Sequence, residues 1–154
     1  MIEEDADSIY ICEISTNGRK QTGVAFVASL DAYDLNLIKK HEYTTPRKEA
    51  DRVLNISTLN AQTGPVLLTY ESNMHLKEIL SKMIARDPIY DVYADEGPRH
   101  KIWKLSNVDE IDSILQIINN MAALFIADGH HRSAAAARVR EQRKEGNTNH
   151  NGRE

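Results

Sequence analysis

The run Ala123-Leu-Phe-Ile-Ala-Asp128-Gly-His-His-Arg132-Ser-Ala-Ala-Ala-Ala137 gathers the side chains most able to do chemistry. An apolar stretch gives way to an acid, a glycine, two histidines and an arginine, and then to an alanine-rich helix. The pattern predicts a strand that hands its polar tip to a helix N-terminus. Free backbone N–H groups and the positive end of the helix dipole make such a junction an anion site, so the expected chemistry is phosphate binding. Gly129 lets the backbone turn sharply and approach a ligand with no Cβ in the way. His130, His131 and Arg132 add donors, and Arg132 can grip a phosphate bidentately. Asp128 repels phosphate unless it binds a magnesium ion or takes a proton from an acceptor hydroxyl. The plainer alternative is an Asp-Gly turn whose histidines cap the helix or face solvent. Zinc binding by His130 and His131 together is disfavoured, because adjacent helical side chains diverge by about 100°.

A second constellation is His41-Glu42 with Thr44, Lys48, Glu49, Asp51 and Arg52. On a helix Lys48 and Arg52 are i and i+4, so they share a face and can meet a carboxylate or phosphate. The alternative is a solvated face with Glu49 and Asp51 as counter-charges. His41-Glu-Tyr-Thr-Thr lacks the second histidine of the His-Glu-x-x-His zinc motif, and the chain has neither a Walker P-loop nor a Gly-x-Gly-x-x-Gly fingerprint.

The elements that must position these residues follow from periodicity. Ser8–Ser15 and Gln21–Leu30 read as strands around the Asn-Gly turn at Thr16–Arg19, and Ile89–Tyr93 and His100–Leu105 as a second hairpin about Asp95–Pro98. Asp34–Lys40 is a short helix or turn. Arg47 to about Asn60 is a helix begun by Pro46, and Val66–Tyr70 is a compact strand. Met74–Ala85 places Leu76, Ile79, Leu80, Met83 and Ile84 on one helical face, and Val108 to Met121 is amphipathic behind the cap signal Ser106-Asn107. Leu124–Ala127 is a buried strand and the last helix runs to about Glu145. Trp103, Tyr10, Tyr70, Tyr90 and Tyr93 are expected to pack in the sheet or core. The fold class is therefore α+β: a mixed sheet with two β-hairpins and flanking helices, one domain over residues 1–146, with a disordered polar tail at 147–154.

Composition narrows the function classes. No apolar stretch approaches the roughly 18 residues of a membrane helix, and the acidic start is unlike a signal peptide, so a cytoplasmic protein without a membrane partner is expected. A net charge of −4 argues against a nucleic-acid partner. Cys12 is the single cysteine, which excludes a disulfide framework; it is expected as a small buried thiol.

Four blocks in order carry a family resemblance: Ile38-Lys-Lys-His-Glu-Tyr-Thr-Thr-Pro-Arg-Lys-Glu-Ala-Asp-Arg52, Ala61-Gln-Thr-Gly-Pro-Val66, Arg99-His-Lys-Ile-Trp103 and Ile126-Ala-Asp-Gly-His-His-Arg-Ser-Ala-Ala135. Together they resemble the domain of unknown function 1015 family. The Asp-Gly-His-His-Arg element is also similar to the Gly-x-x-Arg phosphate loop of the ParB/sulfiredoxin-like superfamily, which includes free serine kinases. The resemblance implies a nucleotide-dependent phosphotransferase that converts L-serine to O-phosphoserine with ATP or ADP and Mg2+. It implies Gly129, His130, His131, Arg132 and Ser133 as the phosphate cradle, and Asp128, Glu42 and His41 as the catalytic set, with Asp128 also the magnesium ligand. Lys48, Arg52 and Thr44 would hold the free amino acid. Family members are longer, and the chain resembles their central part. A non-catalytic nucleotide- or phosphate-binding module, or a fragment inactive on its own, therefore stand as alternatives. Exposed apolar surface at a missing flank would favour a homodimer.

Overall fold

Asn17 and Gly18 both have positive φ, 50° and 74°, which is the two-residue turn whose twist suits a tight hairpin. It joins β1 (Ile9–Thr16) to β2 (Arg19–Ala25) in the computed structural model of the chain, which describes residues 5–94, 97–147 and 149. The strand expected to run on to Leu30 ends at Ala25, because Ser29 caps a short helix α1 (Leu30–Asp34) by accepting from the N–H of Asp31. The described chain falls into two compact units. One is the chain up to Val27 with Ser72–Met121; the other is Ala28–Glu71 with the chain from Ala122.

In the first unit, β5 (Tyr90–Tyr93) and β6 (Arg99–Leu105) form the second hairpin. Both hairpins join one antiparallel sheet, ordered β2-β1-β6-β5. Alternation along β1 sends Ile9 and Ile11 to one face, in register with Leu105 and Trp103 of β6. Helices α3 (Met74–Met83) and α4 (Val108–Asn119) bury Leu76, Leu80, Met83 and Ile114 in the same core cluster. Each such side chain contributes roughly 1.5–3 kcal/mol on full burial. The helices start at side-chain caps: Asn73 accepts from the N–H of Leu76 and Asn107 from that of Glu110. Trp103 packs as expected, with Nε1 donating to the carbonyl of Arg86 at 2.9 Å. Tyr90 and Tyr93 do not: they are 59% and 70% exposed, because β5 is an edge strand. Cys12, expected as a buried thiol, is only half-buried, on the face opposite Ile9 and Ile11. Residues 95 and 96 of the expected turn lie outside the described residues.

The second unit has its own three-stranded mixed sheet, ordered β3-β7-β4, so the single mixed sheet expected from the sequence is two sheets. Its centre is β7 (Leu124–Asp128), parallel to β3 (Ile38–Lys39) and antiparallel to β4 (Leu67–Thr69). The stretch Asp34–Lys40, expected as a helix or turn, ends α1, turns through Asn36 at φ 58° and then forms β3. Tyr33, Ile38 and Ile126 make the buried core, joined by Leu68, Leu124 and Ala137. Two helices complete the unit, α2 (Pro46–Leu59) and α5 (His130–Gly146). Asn60 ends α2 in the left-handed conformation, and its side chain accepts from Arg143 of α5 at 2.7 Å. Among the described residues no helix is long and apolar enough to cross a membrane. Of the tail expected to be disordered, residues 148 and 150–154 lie outside the described residues.

Candidate functional site

Because β3 and β7 run parallel, both release the chain at the same end of the sheet. One exit carries His41 to Thr45 into α2; the other carries Asp128 and Gly129 into α5. This topology brings together two blocks some ninety positions apart; the backbone N–H of His41 reaches His130 across 89 positions.

At the second exit Gly129 is the residue before α5, with φ 101° and ψ 25°, a conformation that side chains resist. No side chain caps the helix, and its first internal bond runs from the N–H of Ser133 to the carbonyl of Gly129 at 3.0 Å. The N–H groups of the first turn are thus the donors left at a helix start. A Cβ on Gly129 would lie 3.0 Å from Arg132 Nε, and one on Gly64 would lie 3.2 Å from Arg132 Cδ. The guanidinium is threaded between two glycines. Its outer nitrogen Nη2 bonds the Asp128 carboxylate one turn earlier, whereas its buried Nε has no hydrogen-bond partner among the described residues.

This junction forms one wall of an open groove of about 610 Å³, to which it contributes Asp128, Gly129, His131 and Arg132. The other wall is the first two turns of α2, with Arg47, Lys48, Asp51 and Arg52. Arg47/Asp51 and Lys48/Arg52 are both i, i+4 pairs and share a side of the helix. Four cations, Arg47, Lys48, Arg52 and Arg132, face two carboxylates, Asp51 and Asp128. The groove therefore carries an excess of positive charge beside a helix N-terminus, an arrangement suited to an anion.

The two histidines do different work. His131 Nε2 accepts the backbone N–H of Thr45 at 3.3 Å, tying the start of α2 to the start of α5. His130 is buried; its Nε2 takes a long contact of 3.5 Å from the N–H of His41, and its ring meets that of His41 edge-on at 4.4 Å. Nδ1 of His130 lies 3.6 Å from Glu42 Oε2, and Nε2 of His41 lies 4.0 Å from Glu42 Oε1. Among the described residues His41, Glu42 and His130 are a group whose donor atoms all fall within 4.8 Å of one another.

The structure thus collects Lys48, Arg52, Asp128, Gly129, His131 and Arg132 around the groove, and places His41, Glu42 and His130 in a separate cluster. Thr44 and Ser133 line neither. The Thr44 hydroxyl donates to Glu49, and the Ser133 hydroxyl donates to the Gly129 carbonyl at 3.3 Å. Glu49, expected on a solvated face, is buried against α5, where Arg138 Nη2 meets its Oε2 at 2.8 Å. Arg47 and Gly64 were absent from the sequence-derived candidates. The i, i+4 spacing of Arg47 and Asp51 carries the same signal as Lys48 and Arg52, whereas the clearance Gly64 provides depends on a distant side chain.

A family model described as "Protein of unknown function (DUF1015)" matches residues 1–154, the whole chain. The chain belongs to the DUF1015 family. No curated protein and no solved structure matches it. In this DUF1015 chain the block from Ile38 to Arg52 and the block from Ile126 to Ala135 contain the two walls described above, and Gly64 of the second block, Ala61–Val66, makes room for Arg132.

Proposed function

We propose that the groove at the start of α5 holds the phosphates of ATP or ADP, and that the chain is a phosphotransferase that moves phosphate onto a free amino acid such as L-serine. The observation that carries this reading is Arg132, a guanidinium held between Gly64 and Gly129 with an unpartnered buried Nε and its outer end resting on Asp128. A phosphate entering the groove competes with Asp128 for that guanidinium and meets the first-turn N–H groups of α5. One charged hydrogen bond contributes about 1.5–3 kcal/mol and the helix dipole about 0.3–1, so several together approach the roughly 8 kcal/mol of micromolar affinity.

Release from Arg132 leaves the Asp128 carboxylate able to accept the proton of an acceptor hydroxyl or to hold magnesium. A single carboxylate beside nucleotide phosphates is the usual setting for Mg2+, which when bound neutralises phosphate charge. Lys48 and Arg52 face the same space and suit the acceptor's carboxylate or the terminal phosphate. The Gly129-His-His-Arg132 turn supports a ParB/sulfiredoxin-like assignment, and a nucleotide and a free amino acid as ligands fit a cytoplasmic enzyme with no nucleic-acid or membrane partner. A second reading, a phosphate-binding module without turnover, is favoured by the engagement of Asp128 with Arg132 and by Glu42 lying away from the groove lining.

Incubation of the chain with L-serine, Mg2+ and ATP or ADP, followed by mass spectrometry, tests the catalytic reading. O-phosphoserine should form and should vanish in Asp128→Ala. Saturable nucleotide binding without product selects the binding module.

A further inference from the structure

We propose that His41, Glu42 and His130 form a binding site for one divalent ion of the first transition row, with Zn2+ and Co2+ as representative occupants. The inference rests on side chains outside the groove lining and does not depend on what the groove binds.

The fold itself assembles the site. Parallel strands β3 and β7 deliver the His41-Glu42 segment and the first residue of α5 to one end of a sheet, so ligands distant in sequence converge without a dedicated loop. Donor atoms then fall within 4.8 Å of one another, with His130 Nδ1 3.6 Å and His41 Nε2 4.0 Å from the Glu42 carboxylate. Nitrogen and oxygen donors at about 2.0–2.2 Å from a tetrahedral ion are roughly 3.3–3.6 Å apart. A small movement of two exposed side chains therefore closes the cluster on an ion.

The donor set selects the class of metal. Two imidazoles and one carboxylate suit the borderline ions zinc, cobalt, nickel and iron, whereas magnesium, calcium and manganese prefer oxygen shells. Burial is graded in a telling way: the His130 side chain is 4% exposed, while His41 and Glu42 are 59% and 61% exposed. One ligand is fixed by packing and two close from solvent, leaving a coordination position open to water or substrate, as in catalytic rather than closed structural sites. Coordination at Nδ1 moves the remaining His130 proton to Nε2. The contact from the His41 N–H to that nitrogen, already long at 3.5 Å, gives way in exchange.

His131 stays apart from this site although it is the next residue, because its Nε2 is taken by Thr45. The expected divergence of adjacent helical histidines holds, and the partners of His130 come from the other exit of the sheet.

Equilibrium dialysis of the full chain against Zn2+ alone, with elemental analysis, should give one ion per chain, and Co2+ should give visible absorption bands of nitrogen and oxygen coordination. His41→Ala and Glu42→Gln should each weaken binding about tenfold or more and alter the Co2+ bands, whereas His75→Ala, exposed on α3, should change neither. In wild-type protein, NMR ring signals of His41 and His130 should shift on Zn2+ addition while those of His75 stay. Failure to retain an ion, unchanged Zn2+ affinity in both His41→Ala and Glu42→Gln, or shifts that spare His130 would each overturn the proposal.

Discussion

The backbone N–H of Thr45 donates to Nε2 of His131 at 3.3 Å, so the residue that opens α2 is held by the second residue of α5. Thr45 makes no side-chain cap of its own, and the imidazole takes over part of the task of fixing the helix start. His131→Ala should therefore lower stability by about 0.5–1.5 kcal/mol, the usual worth of one such bond. Urea unfolding of the variant measures this. An unchanged midpoint would mean that the bond does not hold the two helix starts together.

Gly129→Ala combines two penalties. Its φ of 101° disfavours any Cβ, and that Cβ would lie 3.0 Å from Arg132 Nε and 3.2 Å from a methyl of Val66. The variant should lose roughly 1–2 kcal/mol of stability and, because Arg132 must shift, should bind inorganic phosphate more weakly. Gly64→Ala has no positive φ and only the Arg132 side chain to meet, so it should affect phosphate binding more than stability. Parallel thermal unfolding and phosphate titration of both variants separate the two effects.

Glu49 is a buried carboxylate held between the Thr44 hydroxyl and Arg138. Glu49→Ala removes the charged partner of both, and a loss of about 1.5–3 kcal/mol is expected, reduced toward the lower figure by the half-exposed Arg138. Thr44→Val should destabilise in the same direction by a smaller amount while leaving the affinity of the groove for phosphate unchanged. A selective fall in ligand affinity on Thr44→Val would return Thr44 to the substrate-binding set.

Burial pushes the Cys12 thiol above its ordinary value. The folded chain therefore keeps this proton to higher pH than the unfolded chain does. The contribution to stability is fully present below the unfolded thiol's value and is lost as pH rises from there through the folded value. Unfolding free energy followed across the alkaline range should decline where the wild type is compared with Cys12→Ser, and a thiol reagent at neutral pH should react slowly until denaturant is added.

The parts of this fold that were legible in the sequence are those whose signal is local. The Asn17-Gly18 turn, the Leu76–Leu80–Met83 face of α3 and the cap at Asn107 each depend on neighbours within a few positions, and the structure has them all. Strand β3 was not legible, since two residues, Ile38 and Lys39, carry no period. Nor was the division into two sheets, because pairing β1 with β6 is a choice between distant strands that no local pattern records. At the candidate site the charge-bearing residues Lys48, Arg52, Asp128 and Arg132 were visible as types at a spacing. The separate fates of His130 and His131 were not, because they depend on which backbone N–H each ring meets across the unit.

Isothermal titration of ATP and of ADP, each with Mg2+, into the wild-type chain and into Arg132→Ala bears most directly on the central claim, that the Asp128–Arg132 junction is a nucleotide phosphate site. Saturable binding in the micromolar range, weakened in Arg132→Ala by about 1.5–3 kcal/mol, is the predicted result. Absence of binding by both nucleotides, or equal affinity in wild type and Arg132→Ala, would contradict it.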